Sequence, residues 1–430
     1  MNKYYASEMF LDRAIKSIPL GSQTFSKSYL HYPKGASPFF IKKAKGGTCW
    51  DIDNNEYLDM VNALAAVTLG YQDVDVDTAV IDQIKNGTIF SLPGCEETYL
   101  AETLIDLIPS AEQVRFGKNA SDATSAAVRI ARAATGKDKI AVCGYHGWHD
   151  WYIATTPKNL GIPSIISTLT NTFQYNNIES LHTLLKKDPD NYAAVIMEPM
   201  NVEFPEDDFL FKVQELCKTY GALLIFDETV TGFRIHNQGA QGLFNIKPDL
   251  SCFGKGLANG YPISAIVGKE EYMSLLDKVF FSFTYGGDLI GISAAQAAIK
   301  KILSKDVVQH NSLLGHKIKT STEALILVNK LDGIISISGH DAWSFINFNI
   351  SDEVLLYEIR TLFMQEILSR GILSLGTHNL SFAHTRNDID KLVDAYGEIF
   401  PLIKIAYEKG SAKEFLKCET LRPLFQVRKR

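Results

Sequence analysis

An α/β fold with a mainly parallel central sheet is predicted from three features of the sequence. Four short apolar runs, "KIAVCG", "YAAVIMEP", "ALLIFDE" and "DLSCFGK", recur along the middle of the chain. Each is rich in Val, Ile, Leu or Phe and lies beside a polar or glycine-rich end. Helical patterns such as "DFLFKVQELCKTYG" lie between them. Strands that are apolar throughout and alternate with helices imply a parallel sheet covered on both faces.

The flanking segments read differently. "SPFFIKKAKGGTCWDIDNNEYLDM" predicts an antiparallel hairpin turning at Asp53-Asn54-Asn55. "TYLAETLIDLIPS" and "SDATSAAVRIARAATG" are helical, the second with Ser121 or Asp122 as N-cap and Gly136 past its end. "SAAQAAIKKILS" reads as a helix leaving the sheet domain. The tail mixes strand ("DAWSFINFNI") with helix ("VLLYEIRTLFMQEILSRG", "DIDKLVDAYGEIFPLIKIAYEKG"). The expected organisation is an N-terminal segment of a small domain over 1–50, a large domain over 51–305, and the rest of a smaller α+β domain over 306–430.

The chain has 430 residues, too many for one ordinary core, with 46% hydrophobic and 21% charged residues. A net charge of −6 leaves no basic footprint for nucleic acid. The N-terminus lacks the basic-then-apolar order of a secretory signal, and no run approaches the roughly 20 apolar residues of a membrane span. Six scattered cysteines without a C-x-x-C pair read as reduced thiols in a cytoplasmic protein. His146 and His149 are spaced like metal ligands, but no third ligand lies nearby in sequence, so no metal is expected. A dehydrogenase is excluded, because no G-x-G-x-x-G follows an early strand.

Ligands of open α/β sheets bind beyond the carboxyl ends of the strands. Here those ends carry His146, Glu198, Asp227 and Lys255. Each residue alone has an ordinary reading: a helix cap or solvated loop for Asp227, a surface charge for Lys255. Together they point to one site. A buried Asp227 needs a cationic partner, such as a ring nitrogen. Lys255, between Gly254 and Gly256, is a candidate nucleophile toward an aldehyde. "GKNASDATSAA" opens a helix whose first amides can hold a phosphate or simply be capped. Tyr145 can stack on a flat ring or pack in the core. A lysine for an aldehyde, a carboxylate for a pyridinium, a helix start for a phosphate and an aromatic cover describe pyridoxal phosphate.

"LLIFDETVTGFRI" and "GAQGLFNIKPDLSCFGKGLANGYPISAIVGK" resemble the class-III pyridoxal-phosphate aminotransferases, most of all their glutamate-1-semialdehyde 2,1-aminomutase branch. The resemblance runs from "IPLGSQTFSKS" to "SFAHTRNDID". It implies fold type I, a homodimer, Lys255 as the Schiff-base lysine and Asp227 as the pyridinium partner. Asn119, Ala120 and Ser121 replace the family's Ser-Gly-Thr phosphate loop. Tyr145 becomes the stacking aromatic, and Thr229 lies near the opposite ring face, often held by valine. Thr284, in "SFTYGGD", matches a threonine that reaches the phosphate of the neighbouring subunit. Glu198 is expected to act as a structural carboxylate.

The departures lie on the substrate side. Lys27 stands where the aminomutase has an arginine for the substrate carboxylate, and a lysine lacks its bidentate fork. Leu64 stands where it has a tryptophan. "GTHN" replaces a segment with a glutamate, and the stretch after "YHGWHD" is shorter. The expectation is therefore transamination between an amino donor and an aldehyde or ketone, with sugar-derived acceptors among the candidates. The alternative is intramolecular exchange giving 5-aminolevulinate. A non-catalytic regulator of the same fold is disfavoured, since Asp227 and Lys255 are both retained.

Overall fold

The structure, a computed structural model, describes residues 3–422. The chain forms two compact units: Met1–Leu64, Thr68–Asp73 and Gln309–Leu424 make the first, and Ala65–Val67 with Val74–Val308 make most of the second. Among the described residues no helix is long and apolar enough to cross a membrane.

The second unit is built on seven strands: β1 (Gln113–Gly117), β2 (Lys139–Cys143), β3 (Thr170–Thr172), β4 (Tyr192–Met197), β5 (Leu223–Asp227), β6 (Leu250–Phe253) and β7 (Ser264–Gly268). Their order across the sheet is β1-β7-β6-β5-β4-β2-β3. All neighbours are parallel except β7, which pairs antiparallel with both β1 and β6. β1 therefore runs the same way as β6, and six strands end at one edge. Every residue of β4, β5 and β6 is buried, as apolar runs covered on both faces should be.

Helices cover the sheet: α1 (Val74–Asn86), α2 (Ala120–Thr135), α3 (Phe209–Tyr220) and α4 (Leu289–Ser304). Small residues let α2 lie close on the strands. Ala123, Ala126, Ala127 and Ala131 pack with Ile140, Val142, Ile196 and Ile225. Gly136 ends α2 in the left-handed conformation, as expected from sequence. The cap at its start is Asn119, not Ser121 or Asp122. Asp122 instead occupies the third helical position and accepts the Asn119 N–H at 2.7 Å, the reciprocal half of a capping box.

The first unit holds the strands Ile41–Lys45, Thr48–Asp51 and Glu56–Asp59 as an antiparallel meander, joined in parallel by Ile372–Leu373. A second sheet of three strands, Ile335–His340, Trp343–Phe348 and Thr377–Asn379, completes its β content. The helices Glu353–Ser369 and Arg386–Glu408 supply Ile359, Leu362, Phe363, Tyr396 and Phe400 to its core.

Four consecutive non-glycine residues, Asn62, Ala63, Leu64 and Ala65, have φ of 44°, 51°, 60° and 67°. A left-handed turn of L-residues costs about 1–2 kcal/mol per residue. Buried Asp59 holds its entry, Oδ1 accepting the N–H groups of Val61 and Asn62 at 2.8 and 2.9 Å. Asn379 donates to the Val61 carbonyl at 2.8 Å while the Asn62 side chain donates to the Asn379 carbonyl. Arg234, itself buried, donates to the Ala65 carbonyl at 2.8 Å.

This turn makes Ala63→Gly an informative substitution, because the Ala63 side chain is only half-buried. Glycine relieves the left-handed conformation and should stabilise the chain by about 0.5–1 kcal/mol in denaturant unfolding, the reverse of the usual Ala→Gly cost. A loss of stability would contradict the strained turn.

Candidate active site

The carboxyl ends of β1, β2, β4, β5 and β6 bring most of the candidate residues to one edge of the sheet. Asp227 is the last residue of β5 and is 4% exposed. Its Oδ2 lies 2.9 Å from His146 Nδ1. Its Oδ1 accepts the Thr229 N–H at 3.1 Å and the Thr229 hydroxyl. Burial opposes ionisation of Asp227, but the hydrogen bond and charge of His146, followed by the Thr229 donors, outweigh it. They hold the carboxyl below the usual aspartate value.

His146 is enclosed with its other ring nitrogen, Nε2, 3.1 Å from the Cys143 carbonyl. A carbonyl and a carboxylate both only accept. Both ring nitrogens are thus engaged by protein oxygens, one of them the Asp227 carboxylate. His149 Nδ1 is 2.6 Å from the Ser125 hydroxyl, which also accepts from Trp151.

Glu198, one residue past β4, anchors the loop that carries Tyr145. Its Oε2 accepts the Tyr145 N–H at 2.9 Å and the Asn201 side chain at 3.1 Å. The Tyr145 ring meets Tyr152 edge-on, with centroids 5.6 Å apart, and remains 39% exposed. The loop then closes on the start of α2. Gly147 has φ of +101°, and a Cβ there would lie 2.2 Å from Ser121 Oγ, so only glycine fits.

At the start of α2 the Ala120 and Ser121 amides find no protein acceptor among the described residues, as the first turn of a helix requires. Asn119 and Lys118 turn their amides to Asp122 instead. Two free N–H groups at the positive end of a sixteen-residue helix suit a phosphate.

Lys255 follows β6 with φ of +44°, an uncommon conformation for lysine. The chain just before it runs between α2 and Thr229. A Cβ at Gly254 would lie 3.4 Å from Ala120 Cβ and 3.6 Å from Thr229 Cγ2. Those are ordinary contacts, so the protein itself does not demand glycine at 254. Thr229 is thus placed between Asp227 and the main chain leading to Lys255.

The remaining candidates sit on other segments of the chain. Thr284 is exposed in a turn. Lys27 is exposed in the short 3₁₀ turn Phe25–Lys27, and half-buried Leu64 packs against the core of the first unit. Two bonds are not evident from the sequence: His146 as the partner of Asp227, and the Thr229 hydroxyl as a second donor to it. The spacing Asp-x-Thr at a strand end was the available signal for the second. Glu228, a further carboxylate beside Asp227, is fully buried and accepts the Ala240 and Gln241 amides at 2.8 and 2.9 Å and the Thr231 hydroxyl.

Unpaired amides at a helix start, a carboxylate at a strand end, a lysine just past the next strand and an open aromatic face fit pyridoxal phosphate. Known proteins point the same way. The family model for class-III aminotransferases matches residues 31–386. The chain is 36% identical over 413 residues to the 3-aminobutyryl-CoA aminotransferase of Cloacimonas acidaminovorans, covering 94% of this chain and 98% of that one. It is 35% identical over 422 residues to the glutamate-1-semialdehyde 2,1-aminomutase of Nitrosopumilus maritimus, covering 91% and 97%. Among solved structures, the pyridoxal-phosphate form of the FumI protein from Sphingopyxis sp. MTA144 superposes with a TM-score of 0.86 at 27% identity, covering 94% of this chain and 97% of that one.

Removing the His146 partner of buried Asp227 should be costly. His146→Phe should destabilise the cofactor-free protein by about 3 kcal/mol at neutral pH, since one buried charge loses its partner. Asp227 has a depressed pKa. Its contribution is therefore present above the unfolded value, near about 4, and lost as pH falls through the folded value. Unfolding curves at pH 7 and pH 3 should show the difference between wild type and His146→Phe shrinking in acid. An equal difference at both would contradict the pairing.

Proposed function

The chain belongs to the class-III aminotransferases, pyridoxal-phosphate enzymes, and we propose that it moves an amino group between two separate molecules, a donor amine and an aldehyde or ketone. The observation that carries this is the composition of the substrate side. Lys27 and Leu64 replace the arginine and tryptophan of the resembling aminomutase branch. Where that branch has a glutamate, "GTHN" stands, and two of its side chains already have protein partners. His378 is fully buried between Ser344 and Tyr396 at 2.8 and 2.7 Å, and Asn379 binds the Val61 carbonyl. Burial drives the His378 pKa down to about 3, so the ring adds no charge.

When bound, pyridoxal phosphate supplies a carbonyl for the amine and a ring that accepts electrons from the substrate carbon. The residues of this chain then have distinct tasks. The Ala120 and Ser121 amides hold the phosphate, with Asn119 fixing the start of α2. Ionised Asp227 keeps the ring nitrogen protonated. Tyr145 covers one face, and Thr229 lies toward the other. The Lys255 Nζ would hold the cofactor through its carbonyl and, as a free amine, would be the base that moves a proton at the substrate carbon.

We place Thr284 in a second site, that of a partner copy. Phe280 and Tyr285 beside it are 76% and 62% exposed, an apolar surface suited to an interface. The enzyme is then a homodimer, in keeping with a cytoplasmic metabolic role.

Two experiments check this reading. Wild type loaded with pyridoxal phosphate should be yellow and Lys255→Ala colourless. Mixed with single amines, the yellow form should bleach with a true donor and recover with a true acceptor. Candidates include 3-aminobutyryl-CoA, glutamate 1-semialdehyde and sugar-derived carbonyls. Rapid conversion of glutamate 1-semialdehyde without an external donor would establish the mutase instead. For the dimer, Lys255→Ala and Thr284→Ala subunits, each inactive alone, should regain activity when co-assembled, because one site of the hybrid has both residues intact. No recovery would place Thr284 outside the partner's site.

A further inference from the structure

Asp227 offers about four acceptor positions on its two oxygens. His146 takes one on Oδ2, and the Thr229 amide and hydroxyl converge on Oδ1. The carboxylate is buried, so its remaining acceptor capacity faces the interior of the site rather than bulk solvent. Three protein donors leave one acceptor direction for a ligand. Of the three, the Thr229 hydroxyl is the one a side-chain change removes without altering shape. Thr229 is 8% exposed, with its Cγ2 methyl turned toward the Gly254 main chain that leads into Lys255.

We propose that Thr229 is a positioning residue whose hydroxyl fixes Asp227 Oδ1 and keeps that carboxylate charged, so that its one remaining acceptor direction is reserved for the cofactor's ring nitrogen. This rests on pyridoxal phosphate being the cofactor. Charge-assisted hydrogen bonds to a buried carboxylate are strong and favour its ionised form. With the hydroxyl gone, Oδ1 keeps only the amide, the carboxylate has freedom to turn, and its burial is less well compensated. The hydroxyl acts on the ring only through Asp227. The methyl faces the main chain before Lys255. The two halves of one side chain thus serve different neighbours and can be separated by substitution.

Thr229→Val keeps the shape and removes the hydroxyl, while Thr229→Ser keeps the hydroxyl and removes the methyl. Cofactor-free wild type and both variants are titrated with pyridoxal phosphate and with its 1-deaza analogue, which has carbon in place of the ring nitrogen. Dissociation constants are read from absorbance and protein fluorescence. Thr229→Val should bind pyridoxal phosphate roughly ten-fold more weakly, as for loss of one hydrogen bond to a charged group. It should bind the deaza analogue as wild type does. Thr229→Ser should match wild type with both ligands. If Thr229→Val does not fold, Thr229→Ala against Thr229→Ser gives the same comparison. Equal weakening toward both ligands, unchanged binding by Thr229→Val, or a Thr229→Ser variant as weak as Thr229→Val would overturn the proposal. Failure of wild type to bind pyridoxal phosphate is a separate result, and would instead remove the cofactor reading.

Discussion

A charged carboxylate at the end of a buried strand is the constraint around which the site is arranged. Asp227 terminates a strand with no exposed residue, where an unpaired charge costs several kcal/mol. The compensation comes from two strands away. Cys143, Met197 and Phe226 stand in register across β2, β4 and β5. His146 must fold over the end of β4 to reach Asp227, and it is held there by returning its other nitrogen to the Cys143 carbonyl. Glu198, one residue past β4, accepts the Tyr145 amide of the same loop. The same loop then presents the Tyr145 ring and closes through Gly147 on Ser121. Asp227, the Tyr145 loop and the start of α2 are thus mechanically joined.

Much of this was legible in the sequence, for physical reasons. Strands covered on both faces must be apolar throughout, so β2, β4, β5 and β6 stand out as runs, and their polar ends mark the site. β1 did not stand out. It lies at a sheet edge, its first three residues are not buried, and Arg115 points to solvent. The start of α2 was shifted because Asn119, Ser121 and Asp122 can all cap a helix. The reciprocal bond between Asn119 and Asp122 decides among them, and that bond depends on backbone geometry.

The role of Thr229 shows the same limit at a finer scale. Its position beside Asp227 could be read from the motif, whereas the direction of its hydroxyl could not. A Thr two residues after a carboxylate can turn its oxygen toward the carboxylate or away. Here both its polar groups converge on Oδ1. The substrate side was legible mainly as difference: Lys27, Leu64 and "GTHN" depart from the aminomutase pattern. The fold adds a reason for the last of these, since His378 and Asn379 are committed to the core and to the left-handed turn at residues 62–65. Lys27 is also linked to that turn, because its charge acts on buried Asp59, whose carboxyl burial pushes up and the Tyr71 hydroxyl and backbone amides pull back.

The central claim is that this strand-end cluster holds pyridoxal phosphate with Lys255 as its attachment point. Reducing the loaded wild-type enzyme with borohydride, digesting it and mapping the pyridoxyl label by mass spectrometry tests that claim directly. The account predicts a single labelled peptide, with the label on Lys255. A label on any other lysine, or none on a chain that binds the cofactor, would contradict it.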